Sequence, residues 1–312
     1  MLNSTQSAFS FLYFETFKVL GNEVLGAEFL PSIACGNNQV CLISVRHGRA
    51  VSMEISELNW INIKGVGWTF GGPHIYRSRK DQNMMFGLMD ERDAVREKQV
   101  SDYLQTINPH APKILGYKSF RDIQNAEERY GEILRARHTC GEEVNPCILY
   151  TQIKSPFRMA DVAFFTDSQK DEILSFYCSY FKCSRSEFIK TFAFHLAEQI
   201  GLYHKKGIIN DSLYWDNITL CAEIVDYEWL TVPGMVLPNG QDTEHIIPNE
   251  RKEKEIVYAI EAILRMASLF HLETDFYTVL DALIEGYKVH NRDLMQKCPF
   301  IQRLYDREKF IF

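Results

Sequence analysis

The stretch whose reading decides the fold is GIINDSLYWDNITLCAEIVDYEW, residues 207 to 229. Gly207 follows a long segment of helical periodicity and reads as the residue that ends a helix. A polar turn then carries Asp211, Asp216 and Asn217, an apolar hairpin follows, and Asp226 is expected in its second strand. An adjacent acid and amide, with a second acid nine residues on, lets Asn217 and Asp226 face one divalent cation across the hairpin. Hard oxygen ligands of that kind suit Mg²⁺ or Mn²⁺ holding nucleotide phosphates. Alone, Asp-Asn is also ordinary turn chemistry, so the reading rests on what the rest of the chain supplies.

Both flanks of this stretch are helical. DSQKDEILSFYCSYF (167–181) reads as one helix, and Ser184-Arg185-Ser186-Glu187 as a capping box opening the next. That helix is expected to run to about Tyr203, with Ile189, Phe192, Ala193, Leu196, Ile200 and Tyr203 on its core face. His195 and His204 on it stand at no ligand-pairing spacing and read as structural or exposed. Beyond a Pro/Gly/Asn-bearing loop (233–249), a helix over 251–269 carries the stripe Ile256, Val257, Ile260, Ile263, Leu264 and Ala267. A last helix is expected over about 274–289.

Before Ser155-Pro156, which reads as a hinge, the pattern changes. QVCLISV (39–45), RAVSMEI (49–55) and NWINIKG (59–65) are short β-prone runs that predict a small antiparallel sheet. NPCILYTQIK (145–154) adds a last strand. The first turn, Arg46-His47-Gly48-Arg49, puts a glycine where backbone can approach a ligand, with an arginine beside it. Residues 91–107 place Val100, Leu104 and Ile107 on one helical face, and Glu97 falls on that same face. A carboxylate there needs a cationic partner. Lys64, at the end of the third run, is the candidate, and such a Lys–Glu pair is how kinase-like folds fix the lysine that holds nucleotide phosphates. Residues 68–90 read as a long loop and 124–138 as a surface helix.

The chain of 312 residues is long enough for two lobes, 1–155 and 156–312, each with its own core. Hydrophobic residues at 46% and charged residues at 24% are ordinary globular values. A net charge of −7 argues against a nucleic-acid or anionic-membrane partner that depends on a basic face. No apolar run reaches the roughly 20 residues of a membrane span, and the N-terminal segment lacks signal-peptide features. The eight cysteines form no CxxC pair and read as reduced core residues, so a cytoplasmic location is expected and a zinc site is not.

Taken together these segments resemble the selenoprotein O family of protein adenylyltransferases, collinearly from about residue 36 to 269. The family's HQF segment and first GDGRA are similar to Asn38-Gln39-Val40 and His47-Gly48-Arg49-Ala50-Val51. Its LKGxG resembles Ile63-Lys64-Gly65-Val66-Gly67, and its second GDGRA with a following IREF helix resembles Phe86-Gly87-Leu88-Met89 and Val95-Arg96-Glu97-Lys98. TRVAPSxxR is similar to Thr151 through Arg158, one residue shorter. GFxHGVxNTDN, with an acid nine residues after its Asn, aligns without a gap on Gly207 to Asn217 and Asp226.

The resemblance implies an α+β, bilobal, kinase-like fold with an N-lobe antiparallel sheet plus helix and a mainly helical C-lobe. It implies that Asp216 is the proton acceptor, that Asn217 and Asp226 hold the metal, and that Lys64, fixed by Glu97, touches the phosphates. Gly48, Arg49, Gly87 and Arg158 would surround the nucleotide. The family transfers AMP from ATP, with Mg²⁺ or Mn²⁺, to Ser, Thr or Tyr hydroxyls of proteins. The chain departs from the pattern at Gln152, where the family has arginine, at Phe86, where it has an acid, and at Glu228, where it has glycine. An insertion of about ten residues also separates Lys64 from Glu97. Two other readings stand beside AMP transfer. One is a kinase moving the γ-phosphate, to which Asp211, six residues before Asn217, gives substance. The other is a pseudokinase interaction module without turnover.

Overall fold

In the computed structural model, residues 41–43, 50–65, 89–119, 145–237 and 248–292 are described. The chain divides into two compact units, Met1–Pro156 and Phe157–Phe312. It is a mixed α+β protein, with an antiparallel sheet in the first unit and mainly helices in the second.

The three β-prone runs form β1 (Cys41–Ile43), β2 (Ala50–Ser56) and β3 (Asn59–Lys64), paired antiparallel in sequence order. The sheet continues through a short β4 (Met89–Asp90), β5 (Lys113–Ser119) and β6 (Pro146–Ile153). Strand β6 pairs with β3, placing Trp60 opposite Ile153 and Lys64 opposite Leu149. Strand β4 meets the same β6 edge further on, Met89 opposite Cys147, and β5 takes the other edge. Being interior, β6 reads as a continuous apolar run, and Cys147, Ile148, Leu149 and Tyr150 are wholly buried. The sequence pattern missed β5, because KILGYKS carries a lysine near each end and a bulge between Ile114 and Gly116 breaks its alternation.

Helix α1 (Glu91–Ile107) begins where Asp90 caps it, its carboxylate accepting the Arg92 N–H at 2.9 Å. Glu91 and Asp93 in the first turn face the positive end of the helix dipole. Ala94, Val100 and Leu104 are buried against the sheet, whereas Ile107, expected on that face, is half-buried at the last turn. The buried Ser101 hydroxyl accepts the Ile114 N–H at 2.8 Å and so ties β5 to the helix. The Arg46-His47-Gly48-Arg49 turn, the 124–138 helix and the 68–90 loop up to residue 88 lie outside the described residues.

In the second unit α2 (Asp167–Phe181) is capped reciprocally by Thr166 and Gln169. Helix α3 (Phe188–Lys205) starts one residue past Glu187. The expected capping box is only half made: the Glu187 carboxylate accepts both the Ser184 N–H at 3.0 Å and the Ser184 hydroxyl at 2.7 Å. The hydroxyl donates to that carboxylate and does not accept a helix N–H, so the helix begins later. The expected face, Ile189, Phe192, Ala193, Leu196, Ile200 and Tyr203, is buried. Helices α4 (Asn249–Leu269) and α5 (Phe276–Lys288) complete the unit. On α4, Ile256, Ile260, Ile263 and Ala267 are buried, with Val257 and Leu264 at the margin. Helices α3 and α5 meet backbone to backbone, since a Cβ on Gly286 would overlap the Phe194 carbonyl. Among the described residues no helix is long and apolar enough to cross a membrane. Cys147, Cys178 and Cys221 are buried free thiols, and Cys183 is a half-buried one.

Candidate functional site

The sequence-derived residues form two groups, one on each unit. In the first, Lys64 Nζ donates to Glu97 Oε1 at 2.8 Å, with side chains 9% and 4% exposed. The lysine is delivered by strand register, between Ala50 of β2 and Leu149 of β6. Gly65 then turns the chain at φ 93, and a Cβ there would sit 2.5 Å from the Cys147 carbonyl oxygen. The glycine of the Lys-Gly pair is therefore required by a close backbone approach that also sets the lysine's position.

Glu97 shares its helix face with two more carboxylates, Asp93 and the capping Asp90, at seven, three and zero residues from the cap. Asp90 is engaged by Arg92, its Oδ2 2.8 Å from Nη2. Asp93 is pushed up from 3.8 to about 6, first by burial and then by the charges of Asp90 and Glu97, which Lys64 and Arg92 only partly offset. Burial, reinforced by Glu91 and Asp90, also drives the Cys147 thiol well above its ordinary range, so this cysteine is inert.

The second group is built by the end of α3. The Ile208 N–H bonds the Tyr203 carbonyl and the Gly207 N–H bonds the His204 carbonyl, with Gly207 at φ 72. This is a Schellman closure, and it turns the chain into β7 (Ile209–Asn210), which pairs with β8 (Leu230–Thr231). Between them a 3-10 turn, Trp215–Asn217, leads into a hairpin closed by the Ile218–Ile224 bridge. The Val225 N–H donates to the Asn217 carbonyl at 2.9 Å, so Asn217 and Asp226 are neighbouring positions across the hairpin.

Asp226 does not lie in a strand, as the sequence led one to expect. The hairpin is a single bridge long, and Asp226 follows it in the left-handed region at φ 68. A non-glycine residue held there is uncommon, and such backbone strain collects at functional sites.

The Asn217 amide is oriented: Nδ2 donates to the Ser212 carbonyl at 2.8 Å, which leaves Oδ1 as the acceptor. Arg158 Nη1 donates to the Asp216 carbonyl at 2.6 Å and to Asn217 Oδ1 at 3.3 Å. Arg158 is brought there by its own bridge to Thr219 and by the Asp161 carboxylate, which accepts its N–H at 2.8 Å. An amide oxygen and a carboxylate at neighbouring hairpin positions are the oxygen types a hard divalent cation takes, and the Arg158 guanidinium beside Asn217 is a cation of the kind that meets an anion.

Other candidates are placed differently. Asp211 is held by both guanidinium arms of Arg251 from α4, which also donates to Thr231 Oγ1 at 2.9 Å. Gln152 donates to Asn59 Oδ1 at 2.9 Å, within the sheet. His195 stacks on Phe181, ring centroids 5.5 Å apart, beside Glu198. His204 is buried, its ring nitrogens 2.9 Å from Glu255 Oε2 and 3.0 Å from the Tyr287 hydroxyl. Glu255 Oε2 also accepts the Asn210 N–H at 3.2 Å. Arg251 and Glu255, one turn apart on α4, thus clamp the 204–211 segment that precedes the site. The clamp was missed in the sequence. Its signal was the one that marked Glu97, an acid inside an apolar stripe, here four residues before Ala259 and eight before Ile263. Gly48, Arg49, Gly87 and Phe86 lie outside the described residues. No protein-family model matches the chain, and no curated protein matches it.

Proposed function

We propose that the chain is an ATP-dependent protein adenylyltransferase of kinase-like fold, moving AMP to Ser, Thr or Tyr hydroxyls of proteins. The observation that carries this reading is the buried Lys64–Glu97 ion pair. Desolvating a lysine and a carboxylate together is a poor route to stability, so its retention favours a lysine held in place for an anion. The oriented Asn217 amide beside Asp226 and Arg158 supports the same reading. So does the sequence resemblance to the selenoprotein O family.

In this mechanism Lys64 would engage nucleotide phosphate, Asn217 and Asp226 would hold Mg²⁺ or Mn²⁺, and Arg158 would add a second cation. The metal would supply charge neutralisation on the reacting phosphate. Asp216 orients the acceptor hydroxyl and takes its proton as the new O–P bond to the α-phosphorus forms. The bond from the α-phosphorus to the bridging oxygen breaks, and pyrophosphate leaves. General-base assistance of this kind is worth about 10²–10⁴ in rate.

The kinase reading used Asp211 as its acid, and the engagement of that carboxylate by Arg251 ranks it second. Incubation with Mg-ATP labelled at the α or γ position, followed by mass spectrometry, tests both. AMP added to protein, and lost in Asp226→Ala, is the expected result. Label retained only from the γ position would refute AMP transfer, and unchanged Mg-ATP affinity of Asp226→Ala by calorimetry would refute the metal assignment. A cellular phenotype untouched in a Lys64→Ala, Asp226→Ala double variant would instead mark a pseudokinase module.

A further inference from the structure

Two residues before Asp216 the chain exposes an aromatic pair on the outer face of α4. Tyr214, 46% exposed, packs on Tyr258 with ring centroids 5.0 Å apart. Lys254 is exposed, and its Nζ lies over the Tyr258 ring, 5.4 Å from the centroid. Arg265 lies over the Trp215 ring at 5.6 Å, and its exposed guanidinium is shared with Glu261 on the same helix. The Tyr214 hydroxyl is hydrogen-bonded to Tyr258 and lies within the field of both Lys254 and Asp216. The patch is thus continuous with the candidate proton acceptor, and its two ends are cationic on a chain of net charge −7.

We propose that this surface, Lys254–Tyr258–Tyr214–Trp215–Arg265, docks the acceptor as an extended acidic peptide segment. The inference rests on the reading of the site as a protein-modifying centre with Asp216 as proton acceptor. Lys254 and Arg265 are eleven residues apart on one helix, which is about 16 Å at a rise of about 1.5 Å per residue. Roughly five extended residues at about 3.3 Å each cover that distance. The matching segment has two acidic side chains about five positions apart, with the acceptor hydroxyl between them. The rings beneath hold its backbone and side-chain stems, since tyrosine and tryptophan give contact area at small entropic cost. Arg265 exchanges its exposed Glu261 partner for the peptide at little cost, because surface pairs of this type are weak.

The test is fluorescence anisotropy with the full chain and a labelled peptide carrying one serine between aspartates five positions apart. The same peptide with asparagines in place of the aspartates is the control. The acidic peptide should bind at least tenfold more tightly than the control, with binding weakened tenfold or more in Lys254→Glu/Arg265→Glu and several-fold in Tyr258→Ala. Lys254 and Arg265 are exposed, so thermal unfolding and Mg-ATP affinity of the double charge variant should stay at wild-type values, and the half-buried Tyr258 is read by Mg-ATP affinity alone. Equal affinity for the two peptides, or binding indifferent to the three substitutions, overturns the docking inference. So does a concentration-dependent dimer that the same substitutions dissolve, which would assign the face to a second copy. The titration uses no nucleotide: peptide binding without Mg-ATP binding would sink the adenylyltransferase reading and leave the docking surface standing.

Discussion

Removing the Asp93 carboxylate should relieve the protein of a pH-dependent strain beside Lys64. Asp93 is raised from 3.8 to about 6 by burial and by Asp90 and Glu97. The folded state therefore holds a proton that the unfolded chain has released across that window. Stability is present in full below about pH 4, is lost as pH rises towards 6, and is level above it. Fully buried, a displacement from 3.8 to about 6 would cost about 3 kcal/mol. Asp93 keeps part of its surface in water, and solvent screening reduces the expected figure to about 1 kcal/mol. In urea unfolding at pH 4, 5, 6 and 7, Asp93→Asn should gain on the wild type by about that amount between the two ends. Carboxyl NMR of the wild type should find Asp93 titrating above its ordinary value of 3.8. A stability difference that does not vary with pH would refute the reasoning.

The same geometry makes a second variant informative. In Glu97→Gln, Lys64 loses its partner but Asp93 remains on the same helix face and near enough to interact. Asp93, already ionised at pH 7, should take over part of the interaction with Lys64, so the loss at that pH stays below the about 3–5 kcal/mol of a broken buried pair. Adding Asp93→Asn should bring the loss to that full range. Additive single effects would show that the two carboxylates do not share the lysine.

Gly65→Ala places a Cβ 2.5 Å from the Cys147 carbonyl at a positive φ, and should cost about 3 kcal/mol or more. In differential scanning calorimetry that is a fall of roughly 6–12 °C; an unchanged transition would mean the backbone does not approach as described. Glu255→Ala strands the buried His204 and the Asn210 N–H. It should destabilise the second unit by about 3–5 kcal/mol in urea, whereas a loss under about 1 kcal/mol would remove Glu255 from the clamp.

Local pattern carried a good part of the fold. The β-prone runs around Lys64, the 91–107 helix and the two helices before Gly207 were legible because period and capping are written within a few neighbouring residues. The Lys64–Glu97 pairing was legible too, since an acid on an apolar stripe has few ways to be satisfied. Strand β5 was not, because its bulge and terminal lysines remove the alternation and only its partner β6 justifies it.

Asp226 shows the same division. Its distance along the chain from Asn217 was enough to place the two across a hairpin, but not to say that the hairpin would be one bridge long and leave Asp226 at φ 68. Strand length depends on what the strand packs against. The resemblance pointed to Asp216 as the candidate proton acceptor, with Asp211 left to the kinase reading, but that Arg251 of α4 holds the Asp211 carboxylate was not legible in the sequence. What the sequence determined by itself was residue chemistry and local period. Which charge meets which was decided by tertiary structure, because long-range ion pairs follow from how elements pack and not from their spacing along the chain.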